Sequence, residues 1–258
     1  MDYNYHTHTY LCNHARDTME EYVVRAIEGG IKHMGFSDHM PFVCADGHQS
    51  TYRVAVEDGK KYIETVLCLA DKYKEYIDII PGFEMEYYPR DFQRMYKSAL
   101  ELGARYLILG EHFTFDESQE DSFYTFSTTD SEDRLKEYVS AVTEGMGTGA
   151  FTYVAHPDII KFVGDEAIYI REMSKICEAS VKYNVPLEIN FLGIREERMY
   201  PRDIFWKIAG EAGCSVTFGF DSHSAGSACD DKSIEKAMEL VDKYDLNYIG
   251  KPDIAFIQ

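Results

Sequence analysis

Short apolar segments alternate along the chain with longer segments whose apolar residues recur every three or four positions. The short segments are predicted strands, because buried parallel strands are nearly continuous apolar runs. They cover residues 2–6, 34–36, 77–83, 106–109, 151–155, 186–190 and 215–220. The longer segments are predicted helices and cover residues 18–28, 62–73, 91–102, 131–144, 173–181, 201–212 and 231–244. In the first of these, Thr18 and Glu21 form a capping box.

Seven strands that alternate with helices predict parallel pairing with right-handed crossovers. Nearly every predicted strand is followed by a histidine or an acidic residue. In a closed barrel all the carboxyl ends of the strands surround one mouth, whereas an open sheet spreads them along a row. The pattern therefore favours an α/β fold with a barrel of about seven strands over an open, doubly wound sheet.

Composition narrows the class of protein. Of the 258 residues, 45% are hydrophobic, which is enough for a substantial core, and no apolar run approaches the roughly 20 residues of a membrane span. No secretory signal is visible and the six cysteines form no Cys-x-x-Cys pair, so we expect reduced thiols and a cytoplasmic location. The net charge of −19 argues against nucleic acid as a partner. It permits a small phosphorylated substrate, because bound cations make a pocket locally positive.

Seven of the nine histidines stand in short blocks after apolar segments. The blocks are His6-Thr7-His8, His14, Asp38-His39, Glu111-His112, His156-Pro157-Asp158 and Asp221-Ser222-His223, with Glu84 lying between the third and the fourth. Alternate residues of a strand point to one face, so both imidazoles of the first block can reach one ion. Glu84 is the best candidate for a bridging ligand, since a carboxylate has two oxygens. Imidazoles mixed with a few carboxylates suit zinc, iron or manganese.

The order of these blocks resembles that of the polymerase-and-histidinol-phosphatase family. The resemblance rests on His6-Thr7-His8, Cys12-x-His14-Ala15, Ser37-Asp38-His39, the Glu84 and His112 blocks, Ala155-His156-Pro157-Asp158 and Gly219-Phe220-Asp221-Ser222-His223. It covers essentially the whole chain and is strongest toward the stand-alone histidinol-phosphate phosphatases. It implies one domain over residues 1–258, which forms a distorted seven-stranded (β/α)7 barrel of the TIM-like kind with a trinuclear metal site.

The resemblance also implies how three divalent ions would be held. The first would be bound by His6, His8, Glu84 and Asp221, the second by Glu84 as a bridge with His112 and His156, and the third by His14, His39 and His223. A metal-bound hydroxide would attack the phosphorus of a phosphomonoester, and the cations would neutralise the charge on the phosphoryl oxygens. The implied substrate is L-histidinol phosphate, an intermediate of histidine biosynthesis.

Further residues are candidates for contact with the substrate and for proton transfer. Arg195 is the main candidate for a catalytic contact with the phosphate, because a guanidinium matches phosphate bidentately. Arg198 and Arg16 are the alternatives. Asp38 is the candidate that relays a proton to the alkoxide leaving group.

Two features depart from the family pattern. Phe191-Leu192 stands where small hydroxyl residues are usual, and Glu111 stands where a small residue usually precedes the histidine. Both are expected near the substrate pocket. Glu188 and Asn190 are expected either to orient ligands or to fill the barrel interior. The weakly patterned segments 41–54 and 114–130 are either lid or specificity loops or plain surface loops.

Other functions stay open on the sequence. The same centre could act on a nucleotide, a sugar phosphate or phosphotyrosine. An amidohydrolase barrel also begins with a His-x-His motif, but it often bridges its metals with a lysine, and no lysine stands at the position of Glu84. A binding module that is stabilised by metal but has no catalytic activity would be expected to have lost some metal ligands. In this chain the whole set of candidate ligands is present.

Overall fold

The computed structural model describes residues 1–44 and 46–258. Its strands are β1 (Tyr3–Asn4), β2 (His33–His39), β3 (Asp78–Met85), β4 (Tyr106–Leu109), β5 (Leu187–Asn190), β6 (Ser215–Gly219) and β7 (Asn247–Tyr248). Its α-helices are α1 (Met19–Glu28), α2 (Gly59–Tyr73), α3 (Phe92–Leu102), α4 (Glu132–Gly147), α5 (Glu166–Tyr183), α6 (Phe191–Arg195), α7 (Asp203–Ala212) and α8 (Asp231–Tyr244). Short 3₁₀ helices lie at Tyr10–Cys12, Val56–Asp58 and Ala225–Ser227.

The strands pair in parallel and form two sheets. The four-stranded sheet has the order β1-β2-β3-β4, and the three-stranded sheet has the order β5-β6-β7. Single-residue bridges join the sheets on both sides. Val154 pairs with Leu109 of β4 and with Leu187 of β5, while Thr7 pairs with Ser222 just beyond the ends of β1 and β6. The predicted α/β architecture with parallel strands is therefore confirmed.

The set of strands differs from the predicted set in two places, although the number is seven in both. Residues 151–155 contribute a single bridging residue, Val154, instead of a strand. Pairing there is short because Pro186 has no N–H to donate and because the chain turns at His156, where φ is +31°. The strand β7 was not predicted, since two residues are too few to show a pattern.

Of the eight α-helices in the described residues, seven correspond to the predicted helices and differ from them only at their ends. The capping box of α1 is present: Thr18 Oγ1 accepts a hydrogen bond from the Glu21 N–H at 3.3 Å, and the Glu21 carboxylate accepts one from the Thr18 N–H at 2.7 Å. The helix α6 was not predicted, and Asn190 caps it by accepting a hydrogen bond from the Gly193 N–H at 3.1 Å. Among the described residues, no helix is long and apolar enough to cross a bilayer.

The two faces of the strands bury different cores. On β4, Leu107 and Leu109 pack in the large core that includes the helices, whereas Tyr106 belongs to a small, mainly aromatic cluster with Tyr3, Tyr5 and Tyr153. Tyr106 lies so close to its neighbours that a Cβ at Gly35 would fall 2.1 Å from its hydroxyl oxygen and a Cβ at Gly82 would fall 2.3 Å from its ring. Gly82 and Glu84 lie two positions apart on β3 and therefore share one face of the strand. A polar site thus begins where this aromatic cluster ends.

Candidate metal centre

The carboxyl ends of the strands carry the predicted histidines and acidic residues. His39 ends β2, Glu84 lies one residue before the end of β3, and Asp221 follows β6. At His156 and Asp221 the backbone φ is +31° and +47°. Non-glycine residues adopt this conformation rarely, and such positions concentrate at functional sites.

Glu84 lies at the centre of the predicted ligands. Its Oε1 is 2.8 Å from His156 Nε2, 3.6 Å from His6 Nε2 and 3.8 Å from His112 Nε2. Its Oε2 is 3.2 Å from His39 Nδ1 and 3.5 Å from His8 Nε2. One carboxylate therefore faces five imidazoles, and its two oxygens face different subsets of them, as a bridging ligand requires.

Asp221 forms a second point of convergence. Its Oδ1 lies 3.2 Å from His8 Nε2, 3.7 Å from His6 Nε2 and 3.2 Å from His223 Nδ1. His6, His8 and Asp221 thus form one group of potential ligand atoms that lie within 4.8 Å of one another. His6, Glu84 and His156 form another such group.

The remaining imidazoles form a third, more exposed group. The His14 ring centroid lies 4.8 Å from that of His223 and 5.3 Å from that of His39. Ligand atoms of His8, His39 and His223 lie within 4.8 Å of one another, as do those of Cys12, His14 and His223. Cys12 is a possible thiolate ligand that the sequence analysis did not assign, although the Cys-x-His spacing was a signal for it.

Buried carboxylates stand behind three of the imidazoles, on the side away from the centre. Their oxygens lie 2.8 Å (Glu188), 3.0 Å (Glu86) and 3.4 Å (Asp38) from the Nδ1 atoms of His6, His112 and His8. A carboxylate at Nδ1 selects the tautomer that leaves Nε2 free for a metal. Glu188 was expected in this role as one of two possibilities, whereas Glu86 had been given none.

The electrostatics of the centre follow from burial and from these carboxylates. Burial lowers the pKa of His6, but Glu188, Asp221 and Glu84 outweigh it and raise that pKa to about 10. For His14, burial and the neighbouring imidazoles act in the same direction and lower the pKa to about 4. Burial would raise the pKa of Glu84, yet the surrounding imidazoles hold it well below its usual range. The low pKa of Glu84 favours its ionised form, and each imidazole can act as a ligand when it is unprotonated.

The residues present fit a group of bound cations. Four buried polar atoms of the predicted ligands have no hydrogen-bond partner among the described residues: His39 Nδ1, Glu84 Oε2, His156 Nδ1 and Asp221 Oδ1. A buried polar atom without a partner costs about 1–3 kcal/mol. A divalent ion between such atoms would remove that cost for each oxygen or nitrogen that it binds, and the donor set suits such an ion.

A cavity of about 1090 Å³ opens over the candidate ligands. Both long loops line it, with Tyr52 from segment 41–54 and Tyr124 from segment 114–130. Lys161 and Arg198 bring positive charge to the same cavity. Arg198 is held by Glu196 at 2.6 Å. Lys161 has no ion-pair partner among the residues that the structure describes, and the sequence analysis missed it because a lone lysine carries no motif.

Arg195 and Arg16 line a different cavity, of about 720 Å³, which adjoins the first beside His14 and His223. The Arg195 guanidinium donates to the Asp221 carbonyl at 2.9 Å and lies 3.2 Å from Asp230. Arg198 is therefore the only one of the three predicted arginines to line the main cavity in the described structure. The role of Arg195 as a phosphate contact stays a prediction without a direct geometric basis.

Asp38 lies behind His8 and does not line the cavity. Its Oδ2 accepts hydrogen bonds from the Thr9 N–H at 3.0 Å and from the Thr9 hydroxyl, and its Oδ1 accepts one from the His39 N–H at 2.8 Å. These contacts suit a residue that orients ligands. Direct proton transfer from Asp38 to a leaving group stays a prediction, and this position does not favour it.

Of the departures from the family pattern, only Leu192 lines the main cavity. Phe191 packs against Phe218 and Phe220, with ring centroids 5.4 and 5.0 Å away. Glu111 is buried and accepts a hydrogen bond from the Tyr87 N–H at 2.9 Å. Burial raises the pKa of Glu111 well above its usual range, so it serves as a neutral structural group.

Comparison with known proteins identifies the family of this chain. A family model described as "PHP domain" matches residues 4–191. The chain belongs to the PHP domain family. This PHP domain is 24% identical over 230 residues to a protein of Deinococcus radiodurans described as a probable histidinol-phosphatase, and the match covers 86% of each chain. It is 25% identical over 240 residues to a protein of Shewanella pealeana described as a probable phosphatase, which covers 92% of this chain and 83% of the relative.

A solved structure has the same fold. The histidinol phosphate phosphatase of Lactococcus lactis, crystallised with zinc, L-histidinol and phosphate, aligns with this PHP domain at a TM-score of 0.71. The two sequences are 20% identical, and the alignment covers 98% of each chain. The family model covers residues 4–191, whereas this structural likeness covers nearly the whole chain.

Proposed function

We propose that the protein is a metal-dependent phosphomonoesterase that hydrolyses L-histidinol phosphate to L-histidinol and phosphate. The observation that carries the proposal is one cavity in which imidazoles and carboxylates form part of the lining and Lys161 and Arg198 add two cations. Metal ligands and cations on a single cavity suit a phosphate ester. The descriptions of the Deinococcus and Lactococcus proteins support histidinol phosphate as the substrate.

We assign three divalent ions to the centre, with zinc as the first choice and manganese or iron as alternatives. The first would be held by His6, His8, Glu84 and Asp221, the second by Glu84, His112 and His156, and the third by His14, His39 and His223, next to Cys12. Bound cations would supply an activated water as the nucleophile and positive charge for the phosphoryl oxygens. The overlapping ligand groups and the four buried atoms without partners support this set.

The chain's own side chains would bind and orient the ester. Lys161 and Arg198 would hold the phosphate oxygens that point away from the imidazoles, and Glu196 keeps the Arg198 guanidinium in place. Glu188, with its oxygen 2.8 Å from His6 Nδ1, would hold that ring in the orientation that ligation needs. Asp38 would do the same for His8.

The outer part of the cavity suits the organic part of histidinol phosphate. Tyr52, Tyr124 and Tyr200 are aromatic lining residues that can exclude water and stack on the substrate's imidazole ring. Glu197 also lines the cavity and has no ion-pair partner among the described residues. Its φ of +50° is unusual for a glutamate, and its carboxylate would pair with the substrate's ammonium group.

We further propose that the two sheets close into one distorted seven-stranded barrel and that residues 1–258 form a single domain. The bridges of Val154 to both β4 and β5, and that of Thr7 to Ser222, support closure. The segment around Val154 would be the barrel strand between β4 and β5, so the seven strands would be β1 to β6 and this segment, and the two-residue β7 would be an addition beside β6. The coverage of 98% of both chains in the Lactococcus comparison supports the single domain.

A release assay tests the proposed function. Purified protein loaded with zinc or manganese is expected to release phosphate from L-histidinol phosphate far faster than from a nucleotide, phosphotyrosine or an aryl phosphate. Protein treated with a chelator is the control and should be inactive until metal is restored. Metal analysis should return close to three ions per chain. Failure to release phosphate from any of these esters would contradict the phosphatase assignment.

A phosphatase for another small phosphomonoester is the second candidate. The description of the Shewanella relative as a probable phosphatase, without a substrate, favours it. Leu192 also changes the cavity lining relative to the family pattern. Equal rates on histidinol phosphate and on unrelated esters in the release assay would favour this candidate over the first.

A further inference from the structure

A buried arginine lies behind the candidate metal centre. The Arg53 side chain is 2% exposed, and its guanidinium lies 2.7 Å from Glu86 and 2.6 Å from Glu117. Arg53 also donates to the Met40 carbonyl and to the Tyr88 hydroxyl, both at 3.3 Å. All of its N–H donors therefore have acceptors. A buried charge needs such complete pairing, because an unpaired one is strongly destabilising.

Glu86 connects Arg53 to a predicted metal ligand. Its Oε2 accepts the hydrogen bond from Arg53, while its Oε1 lies 3.0 Å from His112 Nδ1 and accepts a hydrogen bond from the Tyr52 hydroxyl at 3.1 Å. Through this contact the Glu86 carboxylate selects the His112 tautomer whose Nε2 faces Glu84 Oε1, at 3.8 Å.

Glu117 connects Arg53 to the second long loop. Its side chain is 5% exposed, and its Oε1 accepts hydrogen bonds from the Tyr52 hydroxyl at 2.7 Å and from the Ser50 hydroxyl at 3.1 Å. Segments 41–54 and 114–130 thus meet at one buried ion pair. The Tyr52 ring, held between the two carboxylates by its hydroxyl, packs 5.1 Å from the His39 ring.

We infer that Arg53 is a positioning residue for the metal centre, which makes this inference dependent on the metal-dependent function proposed above. Through Glu86 it holds His112 in the ligating orientation, and through Glu117 it locks the two loops around the cavity. Removal of the guanidinium leaves two carboxylates buried without their cation. Glu86 then loses the hydrogen bond that fixes its carboxylate, and His112 loses a fixed partner at Nδ1.

Zinc affinity measures this effect without any substrate. Metal-free protein is titrated with zinc in competition with a chromophoric chelator. Arg53→Gln is expected to lower the affinity for one of the bound zinc ions by about 10- to 100-fold. Glu86→Gln should give a similar loss, and the double variant should lose little more, because both changes break one connection. Nitrogen chemical shifts of His112 should show a changed tautomer in the metal-free Arg53→Gln protein. Arg53→Lys keeps the charge without the planar fork and covers the case in which Arg53→Gln does not fold.

Arg94→Gln is the matched control. Arg94 also contacts segment 41–54, since it donates to the Val43 carbonyl at 2.9 Å and lies over the Phe42 ring at 4.7 Å. It pairs with Asp91 instead of Glu86 or Glu117, so its loss should change zinc affinity by less than about twofold. Equal losses in both arginine variants, or unchanged affinity and an unchanged His112 tautomer in the folded Arg53 variants, would overturn the inference. Absence of zinc binding by the unaltered protein would overturn the metal centre itself.

Discussion

Gly110 lies directly against the carboxylate at the centre of the site. A Cβ at this position would fall 2.0 Å from Glu84 Oε1 and 2.5 Å from Glu84 Cδ, where an ordinary contact needs 3.4 Å or more. Gly110→Ala therefore forces the Glu84 carboxylate and the chain after β4 to move apart by about 1.4 Å. That oxygen now lies 2.8 Å from His156 Nε2 and 3.6 Å from His6 Nε2.

This displacement is large on the scale of metal coordination. Ligand distances in a metal site hold to about 0.2 Å, so Glu84 cannot both clear the new methyl group and keep its place between the imidazoles. We expect Gly110→Ala to lose at least one metal ion per chain and about 100-fold or more in kcat. The cost of overpacking is about 1–3 kcal/mol, which leaves the protein folded.

The assay compares metal content, zinc affinity and phosphate release in Gly110→Ala and in Gly147→Ala. Gly147 ends α4, and a Cβ there would lie 3.4 Å from the Tyr183 ring, an ordinary contact. This control should match the unaltered protein in all three measurements. Full metal content and unchanged kcat in a folded Gly110→Ala protein would refute the central role assigned to Glu84.

Three further predictions address other parts of the molecule. Lys161→Ala and Arg198→Ala should each lower kcat/KM for histidinol phosphate by about 10- to 100-fold, the value of a charged hydrogen bond, with metal content unchanged; loss of metal would contradict a substrate role. Asp38→Asn should weaken zinc binding by about 10-fold or more, whereas normal zinc binding with one lost limb of the pH–rate profile would instead support the proton relay. Gly82→Ala should lower the free energy of unfolding by about 1–3 kcal/mol, because its Cβ would fall 2.3 Å from the Tyr106 ring; an unchanged urea midpoint would contradict this.

The fold could be predicted from the sequence where local patterns are long. The helix α1 was located within one residue by its capping box, and the strand β3 within two residues by its apolar run. The segment 151–155 was apolar in the same way, but it forms a bridge only at Val154, although Thr152, Tyr153 and Ala155 also form backbone hydrogen bonds with β4. Its pairing depends on Pro186 and on the turn at His156, which a count of apolar residues does not contain. Two-residue β7 lies below the length at which periodicity is visible.

The candidate ligands were predicted because their spacing is local, but their supports are distant in the chain. Glu188 lies behind His6 across 182 positions, and Glu86 behind His112 across 26. Neither pairing has a motif, because parallel strands bring together residues that the sequence separates by whole helices. The same reason explains why the sequence did not indicate that Lys161 and Arg198 line the main cavity and that Arg195 lines another.

By itself, the sequence determined which side chains stand at the ends of the strands. Apolar periodicity depends only on residues that are close in the chain. The ligand residues at the strand ends can likewise be recognised within each short block. Only the tertiary structure decided which oxygen of Glu84 faces which imidazole, that Asp38 stands behind His8, and that Arg53 joins Glu86 to Glu117. These relations depend on distances of about 3 Å between elements, and packing of the whole chain sets such distances.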